Sequence, residues 1–173
     1  MKRLWMVLGL AASAAMAEQV GGGLFKTNVQ KAGGWELARY SRDAAGKQLV
    51  YCTAIVIPAQ EQALRVQVSR NQIVWGFIGD GSGAVGKTPS VSYWFDNDTA
   101  RKKTVTMKEV TTSEEGVEWL TYSQNRSEPN EEGQYLNAQK VTFPYLFEGK
   151  KLTQPFALKG GNAALKRLFD GCQ

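Results

Sequence analysis

Along most of this chain apolar residues fall at every second position, the period of a strand with one face in a core. The clearest case is ALRVQVS, where Leu64, Val66 and Val68 alternate with Arg65, Gln67 and Ser69. WELARYS sets Trp35, Leu37 and Arg39 against Glu36, Ala38 and Tyr40, and RDAAGK behind it reads as a turn. KQLVYCTAIVI is a β-branched strand that Pro58 is expected to end. QIVWGFIG reads as a more buried strand. SVSYWFD follows, then KKTVTMKEV with Val105 and Met107 alternating, and GVEWLTYS beyond the turn TTSEEG. VTFPYLFEGKKL, interrupted at Pro144, and QPFALKG read as two further strands.

Helical spacing is clearest at the end of the chain. Asn162 suits an N-cap, Leu165, Leu168 and Phe169 fall on one face at i, i+3 and i+4, and Gly171 suits the position just past the last turn. A helix of about eight residues is too short to stand alone in water and must dock. Asn130 to Lys140 is the candidate for a second short helix, weakened by Gly133. The pattern predicts a mainly β fold: an antiparallel β-sandwich or partly open barrel with one short C-terminal helix.

The first seventeen residues read differently. Lys2 and Arg3 form a positive start, Leu4 to Ala12 an apolar run, and Ala15-Met16-Ala17 a small-residue cleavage pattern. The expectation is a cleaved signal peptide over 1–17, a Gly-rich leader over 18–34 and a single β domain over 35–173. No later run is long enough for a transmembrane segment. A periplasmic or secreted location follows, and with it an expected disulfide between Cys52 and Cys172. The two lie about 120 residues apart, so closing that loop contributes about 4–5 kcal/mol in the chain-entropy model.

Charge narrows the partners. The formal net charge of +5 falls to +3 when Lys2 and Arg3 leave with the signal. The basic clusters Arg101-Lys102-Lys103, Lys150-Lys151 and Lys166-Arg167 are short and without interleaved aromatics, so they read as solvated faces and nucleic acid is not an expected partner.

The chain has no histidine. That removes Ser-His-Asp and Cys-His nucleophile arrangements and His-based zinc sites, and two paired cysteines cannot ligate a metal. Carboxylate chemistry survives on paper at Asp96 with Asp98, Glu114 with Glu115, and Glu131 with Glu132. Neighbours in turns rarely face each other across the roughly 5–10 Å cleft a glycosidase needs. No catalytic residue, metal or cofactor is assigned.

GSGAVGKT, Gly81 to Thr88, matches the pattern of a phosphate-binding loop. A strand does precede it, but Pro89 disfavours helical geometry at Thr88 and the following residues read as another strand, so no helix N-terminus awaits a phosphate. Nucleotide is not expected. Gly81, Gly83 and Lys87 are kept as a candidate contact loop, as is the charged stretch 124–133. The candidate binding surface is Tyr93-Trp94-Phe95. Trp94 points away from its two neighbours, and one of those faces needs a cover, from the helix or from a partner.

The stretches WELARYSRDAAGKQLVYCTA, VSYWFD and FALKGGNAALKRLFDGC together resemble small periplasmic or secreted β-domain proteins of alphaproteobacteria grouped around the invasion-associated locus B family. The likeness is concentrated in Trp35 to Ala54 and Phe156 to Cys172. It implies a compact β fold, a Gram-negative envelope location, no known enzymatic activity and a link to host-cell entry. The function expected is that of a non-catalytic exported binding or envelope-associated protein, its partner a protein or envelope component. The alternative is a periplasmic inhibitor or immunity protein that blocks a partner enzyme with a loop; a carboxylate hydrolase is the third.

Overall fold

The computed structural model describes residues 17–59, 62–78, 90–111, 118–147 and 150–172. The expected signal segment and the Gly81–Lys87 loop, with Glu114 and Glu115, fall outside the described residues. Within them the chain forms two antiparallel sheets. The larger takes strands in the order β1 (Glu18–Val20), β2 (Leu24–Ala32), β3 (Trp35–Ser41), β4 (Leu49–Ala59), β5 (Gln62–Val68), β6 (Gln72–Ile78), β10 (Glu118–Asn125) and β9 (Lys108–Thr111). The smaller has the order β12 (Lys150–Ala157), β11 (Lys140–Phe147), β7 (Ser90–Phe95) and β8 (Lys103–Thr106). Two helices, α1 (Glu132–Asn137) and α2 (Asn162–Gly171), complete it. The fold is a β-sandwich with a C-terminal helix; among the described residues the sheets do not close into a barrel.

Register explains which side chains meet. Trp35, Val56, Leu64, Phe77 and Leu120 lie opposite one another across five strands, and the next row inward is Leu37, Ala54, Val66, Trp75 and Tyr122. Every one of these is buried. The smaller sheet answers with Tyr93 and Phe143, whose rings stand 5.8 Å from Tyr122 and 4.8 Å from Phe77. Aromatic pairs at these separations add about 0.5–1.5 kcal/mol each beyond the area they bury.

Four sequence expectations change. Residues 18–34 are not a free leader: β1 and β2 add the edge of the large sheet, with Lys26 paired to Glu36 at 3.0 Å. Pro58 does not end β4; the strand runs to Ala59 through a register shift between Val56 and Ala59, as a residue without an N–H requires. KKTVTMKEV is two strands, β8 in the small sheet and β9 in the large one, with the fully buried Met107 at the crossing. β11 continues through Pro144, which pairs Thr153 of β12, because β7 pairs only with Val141 and Thr142.

The helix α2 is seated by glycines. A Cβ on Gly33 would stand 1.8 Å from the Gly160 carbonyl oxygen, and one on Gly161 would stand 2.0 Å from Nε1 of Trp35. The turn between β2 and β3 therefore meets the turn before α2 backbone to backbone, which only Gly allows. Asn162 is the first helical residue instead of the cap; its amide donates to the Leu136 carbonyl at 2.6 Å and ties α2 to the end of α1. Ala164, Leu165, Leu168 and Phe169 face the core, and the Cys52–Cys172 disulfide fastens the far end to β4, with Cα atoms 5.8 Å apart.

Candidate functional site

Two concentrations of polar side chains interrupt the core. The first surrounds Glu131, buried at the start of α1. Tyr93 of β7 donates to its Oε1, Tyr122 of β10 donates to its Oε2 at 2.5 Å, and Lys103 of β8 reaches Oε1 at 2.8 Å. Lys103 also donates to Gln134 at 2.6 Å, and Gln124 accepts from Trp75 Nε1 at 2.8 Å. The ring of Tyr135 stacks on Trp75 with centroids 3.8 Å apart.

Burial pushes the Tyr93 phenol far above its usual range, reinforced by the hydrogen bond to Glu131. Burial likewise raises Tyr122 and Tyr135, with the Glu131 charge adding to both. Tyr93 and Tyr122 stay protonated and donate to Glu131. One carboxylate with its acceptor positions filled by two phenols and an ammonium is a structural knot that joins both sheets and α1. Among the described residues no second carboxylate shares the knot.

The second concentration lies where the large sheet extends beyond the small one and α2 covers it. There a cleft of about 410 Å³ opens between β2, β3 and β4 on one side and the last turns of α2 on the other. Its floor includes Leu37, Leu168 and Cys52, and its walls include Asn28, Gln30, Arg39 and Arg167. Arg39 belongs to the inward face, in register with Thr27 and Cys52. The β-bulge between Thr27 and Gln30 carries Asn28 at a φ of 51°, a left-handed conformation uncommon for a non-Gly residue. Asp170 also borders the cleft, already paired to Lys166 at 2.7 Å. Among the described residues the guanidinium groups of Arg39 and Arg167 are in no ion pair or hydrogen bond.

The sequence-predicted positions separate. Tyr93 is fully buried and bound to Glu131, so it is no part of an exposed patch. Phe95 packs edge-on against Tyr135 at 4.9 Å, so the cover on this face is the short helix α1 and not the C-terminal helix. Trp94 alone faces outward, half-buried, with Lys102 Nζ 5.0 Å over its ring. The three do not form one binding surface, because the strand alternation that separates them buries Tyr93 and packs the half-buried Phe95 against α1.

The 124–133 stretch is not a projecting loop. Arg126 donates to the carbonyls of Phe169 at 2.9 Å and Cys172 at 3.2 Å, satisfying the C-terminal end of α2, and Glu131 is in the core. Asp96 and Asp98 are turn residues. Asp96 accepts from the amides of Gln139 and Lys140 at 2.7 and 3.2 Å, and Asp98 caps Arg101.

Sequence reasoning singled out Glu131 only as a turn acid beside Glu132, and missed its burial and the cleft for one reason: the partners are remote. Glu131 meets side chains 28 and 38 positions earlier. The available signal was Arg39 on the same strand face as Trp35 and Leu37, a charge where an apolar residue belongs. Among the described residues no group of three or more Cys, Asp or Glu gathers as a metal centre requires, and no helix is long and apolar enough to cross a membrane. Compared with known protein families, curated proteins and solved structures, the chain matches none.

Proposed function

We propose that this chain is an exported, non-catalytic binding protein of the bacterial envelope, and that its ligand site is the cleft beneath α2. The observation that carries the reading is the cleft itself, about 410 Å³ and walled by a helix that a disulfide holds in place. Its size falls in the range of small-molecule sites, and an apolar floor with polar groups on its walls can both bury and orient a ligand. Export is supported by the three-part pattern of residues 1–17 and by the bridge, which persists in oxidising compartments. The envelope assignment and the link to host-cell entry rest on the likeness to the invasion-associated locus B family. The inhibitor reading draws no support from 124–133, since that stretch is folded onto the protein's own helix.

The test is ligand-observed NMR with the small-molecule fraction of a periplasmic extract, using the mature protein and an Asn28→Trp variant that fills the cleft mouth. Attenuated ligand signals with the mature protein and restored signals with the variant are expected. Equal attenuation with both proteins removes the cleft from consideration, and none with either removes the small-molecule reading.

A further inference from the structure

A guanidinium on the inward face of a sandwich is an expensive placement. Taking it partly out of water without a carboxylate or carbonyl partner is unfavourable, and proteins normally meet that with an ion pair. Arg39 is half-buried on the face that carries Trp35, Leu37 and Cys52, and no described residue pairs with it. The one acid at the cleft, Asp170, is taken by Lys166. A second guanidinium, Arg167, reaches the same cleft from α2. The positive charge there is therefore in excess.

The remaining lining matches that excess. Gln30 and the bulge residue Asn28 bring side-chain amides, which donate hydrogen bonds to oxygen acceptors, while Leu37 and Leu168 offer an apolar floor. Guanidinium forks match the planar spacing of carboxylate and phosphate oxygens and bind them in pairs of parallel bonds. Bulges recur beside binding sites because they re-aim a side chain, which is what the left-handed Asn28 does at this rim.

From these observations we infer that the cleft takes the anionic head of a small organic molecule, a carboxylate or a phosphate ester, held by Arg39 and Arg167 with its apolar body on Leu37 and Leu168. This rests on the binding reading above and gives it a ligand class. The disulfide then has a second role beyond stability: it fixes the helix that carries Arg167 opposite the strand that carries Arg39. Binding through two guanidinium groups at a solvent-open cleft is screened by salt, so the affinity should fall as ionic strength rises.

Amide chemical-shift titrations of the oxidised mature protein test it, with benzoate, benzyl phosphate and the neutral benzyl alcohol as probes. Benzoate or benzyl phosphate is expected to shift amides of β2, β3 and α2, with the stronger of the two naming the oxyanion, and benzyl alcohol is expected to bind at least about tenfold more weakly. Arg39→Gln and, separately, the exposed Arg167→Gln should each weaken the anion by about tenfold while leaving the melting temperature within a few degrees. Equal binding of all three probes in the cleft overturns the anion clamp and leaves the binding reading standing. Anion shifts confined to other surfaces, no shifts at all, or shifts indifferent to both substitutions, overturn the clamp as well. The extract experiment then decides the binding reading separately.

Discussion

Gly161 lies so close to the indole of Trp35 that a single added carbon would stand 2.0 Å from Nε1 and 2.1 Å from Cδ1. Two turns more than 120 residues apart in sequence meet through that contact, and the position of α2 depends on it. Gly161→Ala is expected to lower stability by about 1–3 kcal/mol, since a rigid buried ring cannot give way as a flexible side chain would. Gly133→Ala is the control, because nothing stands within 4 Å of its added carbon in α1 and alanine favours helix. It should be neutral or stabilising by up to about 1 kcal/mol. Thermal melts of the two variants read the difference, and similar losses in both would refute the close-contact account.

Reducing the disulfide releases the end of α2. The bridge closes a separation of 120 residues, and its loss is expected to cost about 4–5 kcal/mol in the chain-entropy model. Denaturant titrations with and without reductant give the number. Hydrogen exchange gives the location: the amides of α2 should lose protection before those of β5 and β6, whose strands lie inside the sheet.

The Glu131 knot predicts an ordering among substitutions. Glu131→Ala leaves two buried phenols without their acceptor and should cost about 3 kcal/mol or more. Lys103→Met should cost about 1 kcal/mol or less, because that ammonium is 40% exposed and remains partly hydrated. Urea unfolding of both variants tests the order; the reverse order would show the carboxylate to be held mainly by the lysine.

Alkaline pH should unfold the protein cooperatively. The phenols of Tyr93, Tyr122 and Tyr135 are held above the ordinary value by burial in the folded state. Their contribution is fully present below the unfolded value near pH 10. It declines as pH rises past that point, because the unfolded chain releases protons that the folded chain keeps. Tyrosinate absorbance followed together with far-ultraviolet circular dichroism should show these three of the six tyrosines ionising only as the fold opens. Smooth ionisation of all six with the sheets intact is the contrary result.

Strand alternation was legible along the chain. WELARYS is β3, and ALRVQVS and QIVWGFIG fall on β5 and β6 with their ends displaced by a residue, their apolar rows in register across the sheet. The leading apolar positions of α2 were equally plain, and so was the cysteine pair. What could not be read was which sheet each strand would join. Val105 and Met107 share one alternation, yet the chain changes sheets between them. The prolines misled for a related reason: Pro58 and Pro144 remove a hydrogen bond only where a neighbour asks for one, and both sit where the ladder shifts or has no second partner.

The candidate site was less visible than the fold. Tyr93-Trp94-Phe95 drew notice as exposed aromatics, while the structure turns two of them inward onto Glu131 and α1. Arg39 looked like one more member of an alternating strand.

Local spacing determines periodicity, because the pleat and the helical turn act within a few residues, and so most of the strands, the terminal helix and the alternation of side chains between two faces follow from order along the chain. Whether an inward face is covered by another sheet, by a helix or by a cleft depends on contacts between residues tens to more than a hundred positions apart. Trp35 with Gly161 and Glu131 with Tyr93 are of that kind, as is the lining of one cleft by both Arg39 and Arg167, and no short-range rule contains them. Folding alone brought the two arginines to one cleft.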